Sequence, residues 1–451
     1  MRPTDREILR LAVPAFLALI AEPLFLLADA AIVGHLGTPQ LAGLGVAAAV
    51  LQTAVGLCIF LAYGTTGSVA RSLGAGDRRG ALARGIDGVW LAVVIGAAAT
   101  ALGILLTDPL VASFGAEPEV RRQAAAYLRV AFLGTTPLLV MLATTGILRG
   151  LQDTRTPLAV AVAGNALNIA LNLLLVYGAG PVPGLGITGS ALGSVLAQLA
   201  SAAALLAVVV RFARAEGAGL RPHWPGVRAA GRAGVPLVIR TLTLRAALLL
   251  TVYAVVLAAR SRHGTGGSDA ELAAHQLALT IWTFLAFALD AIAIAGQAIT
   301  GRSLGAADVT GTRALTRRMI QWGVASGVVA GVGLAATSPW LGALFTGDAE
   351  VRRLLVPVLI VAALGQPLAG VVFVLDGILI GAGDARYLAW AQLAALVAYA
   401  PVVLLVALGG GSLVWIWVAF AGWFMLARAV VLLRRARGDA WLVTGAIALT
   451  H

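Results

Sequence analysis

The sequence predicts an all-α integral membrane protein with twelve transmembrane helices in two pseudo-symmetric six-helix bundles. Three observations support this fold class: the composition, the length of the apolar stretches and an internal repeat. Hydrophobic residues make up 60% of the 451 residues and charged residues only 12%, which is too few charges to cover a water-soluble protein of this size. Each apolar stretch is about 20 residues long, the length at which a helix crosses the hydrocarbon core of a bilayer.

Twelve apolar stretches, separated by turn sequences or arginine-rich loops, give the predicted spans. GTPQ after Gly34 and GGGS at 409–412 are two of the turn sequences. Gly and Ala are frequent inside the stretches, as expected where membrane helices pack closely. In chain order the predicted spans are 9–33, 42–69, 86–107, 122–146, 157–178, 187–211, 233–258, 271–299, 314–336, 353–376, 386–408 and 412–433.

The basic residues indicate how the chain is oriented in the membrane. All 32 are arginines, and 22 of them lie in alternate loops while six lie in the opposite loops. This asymmetry is the positive-inside pattern, which predicts a multi-pass protein of the inner (cytoplasmic) membrane with both termini in the cytoplasm. The distribution of the arginines therefore explains the net charge of +12 by membrane orientation, and we expect no nucleic-acid partner. Cys58 is the only cysteine, which excludes an intramolecular disulfide.

Repeated motifs divide the chain into two related halves. RSLGAGD begins at Arg71 and RSLGAAD at Arg302, and the pair GILRGLQDTR and GILIGAGDAR is separated by the same offset. The first helices align at a slightly smaller offset, which matches the Val-Pro pair at Val13 with the one at Val235. The sequence thus predicts an amino-terminal lobe, a cytoplasmic linker, a carboxyl-terminal lobe and a tail, at 1–211, 212–232, 233–438 and 439–451. Because six helices return the chain to its starting side, we expect the halves to share one orientation around a cleft.

Buried acids are the first candidates for function. An acid at the centre of a membrane helix costs about 3 kcal/mol, so it usually faces a cavity or a partner. Glu22 and Asp29 in span one are seven residues apart and share a helix face. Burial disfavours an ionised carboxylate and a nearby cation favours it. We therefore predict that Asp29 and Glu22 exchange a proton for a cationic substrate or for sodium; the alternative is a packing role.

The acids do not follow the repeat. Asp29 aligns with Thr251 of the second half, while Asp290 and Asp376 align with apolar or hydroxyl side chains of the first. We therefore expect the two halves to do different work.

Polar side chains in other spans complete the candidate set. Asn165, Asn168 and Asn172 are spaced three and four apart on one helix face. With Gln52 they are candidate cavity residues, and the amides either bond Asp29 or hold helices together.

Two arginines lie in span seven. Arg240 is close enough to the cytoplasmic end to reach the interface. Arg245 lies deeper and is predicted to pair with Asp290 or Asp376.

Six segments in both halves of the chain are distinctive: ADAAIVGHLG at 28–37, RSLGAGD, GILRGLQDTR, GLGITGSALGSVLAQ, LAAHQ at 272–276 and VLDGILIGAGD at 374–384. They resemble segments of the multidrug and toxic compound extrusion (MATE) family, in particular its DinF-like branch. The resemblance covers nearly the whole chain and implies a V-shaped pair of six-helix lobes that performs cation-coupled antiport, often of cationic or amphipathic compounds.

The resemblance also implies residue roles. Asp29 matches the helix-one acid that binds the proton or cation, and Asp376 matches a helix-ten acid of the branch, with Arg240 and Asp290 also typical of it. Asn172 stands where many members have an acid. An arginine occupies helix seven where sodium-coupled members have an acid, which implies protons rather than sodium.

The function predicted from these observations is proton-driven export of small organic molecules by a monomer in the lipid bilayer, with no cofactor and no metal. A sodium-coupled exporter and a flippase for lipid-linked precursors are the alternatives within transport. An integral-membrane enzyme is disfavoured because no nucleophile, acid–base or metal constellation is visible in the sequence. A sensor or scaffold is disfavoured because such a role does not explain why a duplicated scaffold carries its buried acids at different positions in the two halves.

Overall fold

The computed structural model describes residues 3–181, 183–263 and 269–446. Twelve helices in this part of the chain are long and apolar enough to cross a membrane, which confirms the predicted fold class. The helices are α1 Pro3–Gly34, α2 Thr38–Leu57, α3 Phe60–Gly74, α4 Arg78–Leu105, α5 Thr107–Ala112, α6 Pro118–Ala131, α7 Thr135–Gly150, α8 Arg155–Tyr177, α9 Ile187–Ala215, α10 Trp224–His263, α11 Asp269–Gly305, α12 Val309–Phe345, α13 Ala349–Gly381, α14 Ala385–Leu408, α15 Leu413–Trp417 and α16 Met425–Arg437.

Three of the spans are interrupted helices. The second span breaks between α2 and α3, and the fourth contains one 3-10 turn between α6 and α7. The last span contains a π-helix at Val418–Phe424 between α15 and α16. This wide turn places Phe420 and Phe424 beside Tyr399 of α14, with ring centroids 6.4 and 5.0 Å from the tyrosine ring.

The chain folds into two compact units. The N-unit consists of Val13–Gly234 with a short piece of the C-terminal tail, and the C-unit consists of Val235–Thr444 together with residues 3–12. The predicted boundaries follow chain order and place residues 3–12 in the amino-terminal lobe, whereas the structure groups these residues with the C-unit. The predicted linker at 212–232 is mostly helical, because α9 continues to Ala215 and α10 begins at Trp224.

Small residues allow the helices of each unit to pack closely. In the C-unit, a Cβ atom at Gly370 of α13 would lie only 2.0 Å from the carbonyl oxygen of Gly323 on α12. In the N-unit, the hydroxyl of Thr66 on α3 donates to the carbonyl of Gly146 on α7 at 3.1 Å. Such contacts hold membrane helices together where lipid offers no hydrophobic driving force between them.

Candidate functional site

Asp29 of α1 lies at the centre of a buried polar cluster in the N-unit. Its side chain is only 3% exposed. The Asn172 amide of α8 donates to Oδ1 at 2.8 Å, and the Ser190 hydroxyl of α9 donates to the same oxygen at 2.5 Å. The Tyr127 hydroxyl of α6 lies 3.5 Å from Oδ2. Side chains from three other helices therefore converge on this carboxylate, and each of them is neutral.

The amides of α8 extend this network away from Asp29. Asn172 Nδ2 donates to Asn168 Oδ1 at 3.1 Å, and Asn168 Nδ2 donates to the Ser194 hydroxyl of α9 at 3.0 Å. Asn165 instead donates to the backbone carbonyl of Ala21 on α1 at 2.8 Å. The predicted shared face is therefore present. Asn172 bonds Asp29, while Asn165 joins two helices, which was the alternative role. We call Asp29, Tyr127, Asn168, Asn172, Ser190 and Ser194 the Asp29 cluster.

Tyr127, Ser190 and Ser194 were missed from the sequence. A signal existed on α9, where Ser190 and Ser194 are four residues apart and each follows a glycine. That spacing places both hydroxyls on one face of a helix that can approach its neighbour closely. Tyr127 gave no such signal, because a tyrosine in a membrane helix is equally typical of packing or of the interface.

Gly193 shapes the pocket for Asn172. A Cβ atom at this position would lie 2.1 Å from Asn172 Oδ1. We expect Gly193→Ala to displace the amide and to lower the free energy of unfolding by about 1–3 kcal/mol, as overpacking commonly does. Gly45→Ala is the matched control, because no atom lies within 4 Å of an added Cβ there. Thermal unfolding in detergent would show the difference, and equal melting temperatures for the two variants would contradict this prediction.

Glu22 and Gln52 lie outside the Asp29 cluster. Both side chains are exposed, and within the described ranges the structure shows no hydrogen bond or ion pair for either of them. Glu22 lies seven residues from Asp29 on α1, as predicted, and Pro23 follows it. The Glu22 side chain is nevertheless exposed, whereas Asp29 is buried. No described contact joins Glu22 to Asp29, so a part for Glu22 in coupling is the alternative to coupling at Asp29 alone.

The C-unit contains a different buried group, which we call the Asp376 cluster. Asp376 of α13 is 4% exposed, and its Oδ2 accepts from Arg240 of α10 at 2.8 Å and from Arg428 of α16 at 2.5 Å. Arg428 is equally buried and its guanidinium lies 5.8 Å from the centroid of the Phe424 ring. Asp290 lies half-buried on α11.

The prediction that Arg245 pairs with Asp290 or Asp376 was wrong. Arg245 is exposed and has no ion pair within the part of the chain that the structure describes, whereas Arg240, predicted to reach the interface, is the residue that pairs. The reason is the helix face: Arg245 lies with the exposed Leu242 and Leu249 at spacings of three and four. Arg428 was missed, although a buried arginine in the last span needs a carboxylate.

The repeat shows how the Asp29 cluster is replaced in the C-unit. Thr251, the residue aligned with Asp29, bonds the Tyr399 hydroxyl at 2.7 Å. The offset that matches GILRGLQDTR with GILIGAGDAR also matches Asn168 with Tyr399, which is therefore its counterpart. At these two positions the C-unit therefore has a neutral hydroxyl pair where the N-unit has the Asp29 carboxylate and the Asn168 amide, which agrees with the expectation that the acids do not follow the repeat.

Comparison of the sequence with known proteins assigns the chain to a family. A family model described as MatE matches residues 14–174 and 243–405. The chain belongs to the MATE family. Members of this family are transporters and not enzymes, so the protein is a MATE transporter, with twelve spans in a membrane.

Relatives of this MATE transporter occur in plants and bacteria. "Protein DETOXIFICATION 44, chloroplastic" of Arabidopsis thaliana is 30% identical over 86% of this chain and 74% of its own length. "DNA damage-inducible protein F" of Escherichia coli strain K12 is 29% identical over 97% of this chain and 94% of its own, in agreement with the DinF-like resemblance. A solved structure of MATE in the bent conformation superposes with a TM-score of 0.85 at 22% identity, covering 98% and 96% of the two chains, and shows the shared fold.

Proposed function

We propose that this MATE transporter exports small organic compounds, often cationic or amphipathic, in exchange for protons, and that Asp29 is the group that carries the proton. The proposal includes alternating access across the inner membrane, with both termini in the cytoplasm. The observation that carries it is the set of neutral donors around a buried carboxylate.

The two buried acids differ in what surrounds them. Asp376 accepts hydrogen bonds from two guanidinium groups. These cations stabilise its ionised form, so the cluster is a structural ion pair. Asp29 receives only an amide and hydroxyl groups within the described residues. Without a fixed cation, a buried carboxyl group can lose its charge by taking up a proton. Asp29 is therefore suited to cycle between its two forms, whereas Asp376 is not.

The donors around Asp29 also suit a change of protonation. Hydroxyl groups donate to a carboxylate and can equally accept from a carboxylic acid. Ser190 and Tyr127 can therefore turn when the proton arrives and keep the buried site bonded. A cationic substrate that approaches the ionised form would favour release of the proton, which links binding of one to loss of the other.

The orientation of Asn172 supports protons over sodium. Its nitrogen faces Asp29, and a hard cation prefers oxygen ligands to an amide nitrogen. Sodium remains the second candidate because Asn172 Oδ1 is buried and makes no hydrogen bond with any described residue. Rotation of this amide would present that oxygen to an ion beside Asp29.

Reconstituted transport separates these candidates. Purified protein in liposomes would be supplied with a fluorescent lipophilic cation under an imposed pH gradient, and separately under a sodium gradient at equal pH. We expect movement of the dye with the pH gradient alone. Movement with sodium alone would overturn the choice of ion and keep the transporter. Failure of every tested compound under both gradients would contradict drug export, and lipid-linked substrates would then be assayed.

A further inference from the structure

The two compact units exchange the beginnings of their first helices. The C-unit contains the chain up to Ala12, where α1 passes into the N-unit, and the N-unit contains α10 up to Gly234, where that helix passes into the C-unit. Ala12 and Gly234 are equivalent positions of the repeat, because each directly precedes the Val-Pro pair that aligns the first helices of the two halves. We call Pro3–Ala12 the first arm and Trp224–Gly234 the second arm. Their equal position in the repeat indicates that the exchange is a duplicated property of the fold.

In the C-unit, an ion pair holds the first arm. Arg318 of α12 donates to Asp5 through Nε at 2.6 Å and through Nη2 at 2.8 Å, and the Trp322 indole donates to Asp5 at 3.0 Å. Asp5 is 4% exposed. Arg302 Nη2 donates to Glu7 at 2.5 Å. Charged and bidentate bonds of this kind are the strong ones among protein hydrogen bonds.

The next turns of the first arm are apolar and fully buried. Ile8 and Leu11 are 0% and 1% exposed. The arm therefore lies fixed on the C-unit by a polar anchor at its start and by packing one turn later.

In the N-unit, a carboxylate caps the second arm. Asp87 of α4 is 7% exposed, and its Oδ1 accepts from the backbone N–H of His223, directly before α10 begins, at 3.1 Å. A Cβ atom at Gly226 would lie 2.0 Å from Asp87 Oδ2. The acid thus sits against the first turn of α10, where the unpaired N–H groups and the helix dipole stabilise a negative charge.

The two anchors occupy one position of the repeat. When RSLGAGD is aligned with RSLGAAD, Asp87 in the third span of the first half falls on Arg318 in the third span of the second. The structure assigns one role to this position in both halves: its side chain anchors an arm. Arg318 anchors the first arm in the C-unit, and Asp87 anchors the second arm in the N-unit. The chemistry is inverted. In the C-unit the base is on the third helix and the acid is on the arm. In the N-unit the acid is on the third helix, and it accepts from the backbone N–H of His223, the residue directly before the arm.

This inversion predicts different responses to substitution. Arg318→Gln removes the charge that Asp5 needs, so amide hydrogen exchange of residues 3–12 should become roughly tenfold faster or more, as the loss of a charged hydrogen bond implies. Asp87→Ala should speed exchange around residues 224–234 by about fivefold, the usual cost of a lost helix cap. Asp87→Asn keeps an acceptor oxygen and should change exchange there much less.

Hydrogen exchange of the full chain in lipid nanodiscs, read by mass spectrometry, tests the assignment. Each variant should affect its own arm and leave the other arm at wild-type exchange. The charge swap Asp5→Arg with Arg318→Asp should restore slow exchange in the first arm. Unchanged exchange in Arg318→Gln, or faster exchange in both arms with either single variant, would overturn the proposal. Hydrogen exchange requires no transported compound, so this experiment tests the anchoring of the arms independently of the proposed function.

Discussion

Asp29→Asn is expected to abolish export driven by a pH gradient, down to the level of protein-free liposomes. Asparagine has nearly the shape of aspartate and can keep hydrogen bonds to Asn172 and Ser190, but it neither binds nor releases a proton. The change therefore removes the proposed chemistry with little disturbance of the packing. Dye movement under an imposed pH gradient, with wild type and variant at equal reconstitution, measures the effect.

Glu22→Gln is the matched control for this experiment. It also neutralises an acid of α1, but no residue of the Asp29 cluster bonds Glu22, so we expect proton-driven export to survive. Melting temperatures of both variants should stay close to that of wild type. Export by Asp29→Asn at the wild-type rate would refute the assignment of the proton to Asp29, and loss of export in Glu22→Gln alone would transfer it to Glu22.

Asp376→Asn is expected to cause the largest loss of stability among single substitutions in the C-unit. The variant leaves the buried guanidinium of Arg428 and the half-buried guanidinium of Arg240 without the carboxylate they share. Removing one partner of a buried ion pair commonly costs about 3–5 kcal/mol, because a charge stays behind in an apolar environment. Thermal unfolding in detergent and the yield of folded protein after extraction measure this effect.

Arg245→Gln is the control for the Asp376 cluster. This arginine lies on the same helix as Arg240 but is exposed and outside any ion pair of the described residues, so its replacement should change stability by less than about 0.5 kcal/mol. Equal melting temperatures for Asp376→Asn and wild type would contradict the buried ion pair. A melting temperature for Arg245→Gln as low as that of Asp376→Asn would contradict the face assigned to α10.

The membrane topology could be predicted from the sequence because the signals for it are long and repeated. Apolar stretches of about twenty residues and a fixed offset between motifs depend on no single contact. Asp29 could be predicted for a similar reason, since a charge inside a membrane helix is costly wherever it lies. The shared helix face of Asn165, Asn168 and Asn172 could be predicted from their spacing alone.

The partners of charged residues could not be predicted in the same way. Choosing between Arg240 and Arg245 requires the rotation of α10 about its axis, which the packing of neighbouring helices determines. Hydroxyl groups such as Ser190 have a low cost in a membrane helix, so the sequence pattern does not single them out. The anchors of the two arms join residues 313 and 136 positions apart, and no local pattern in the sequence predicts contacts at such separations.

The anchored arms also constrain how the protein is made. Residues 3–12 leave the ribosome well before their anchor, Arg318, which is synthesised more than three hundred residues later. At a translation rate of about 5–20 residues per second, the first arm waits roughly 15–60 seconds for its binding surface. The second arm has its binding partner as soon as it is synthesised, because Asp87 is already in the membrane when residues 224–234 emerge. The helices of the N-unit can therefore assemble during synthesis, while the C-unit is completed only when the first arm meets helices that are synthesised much later.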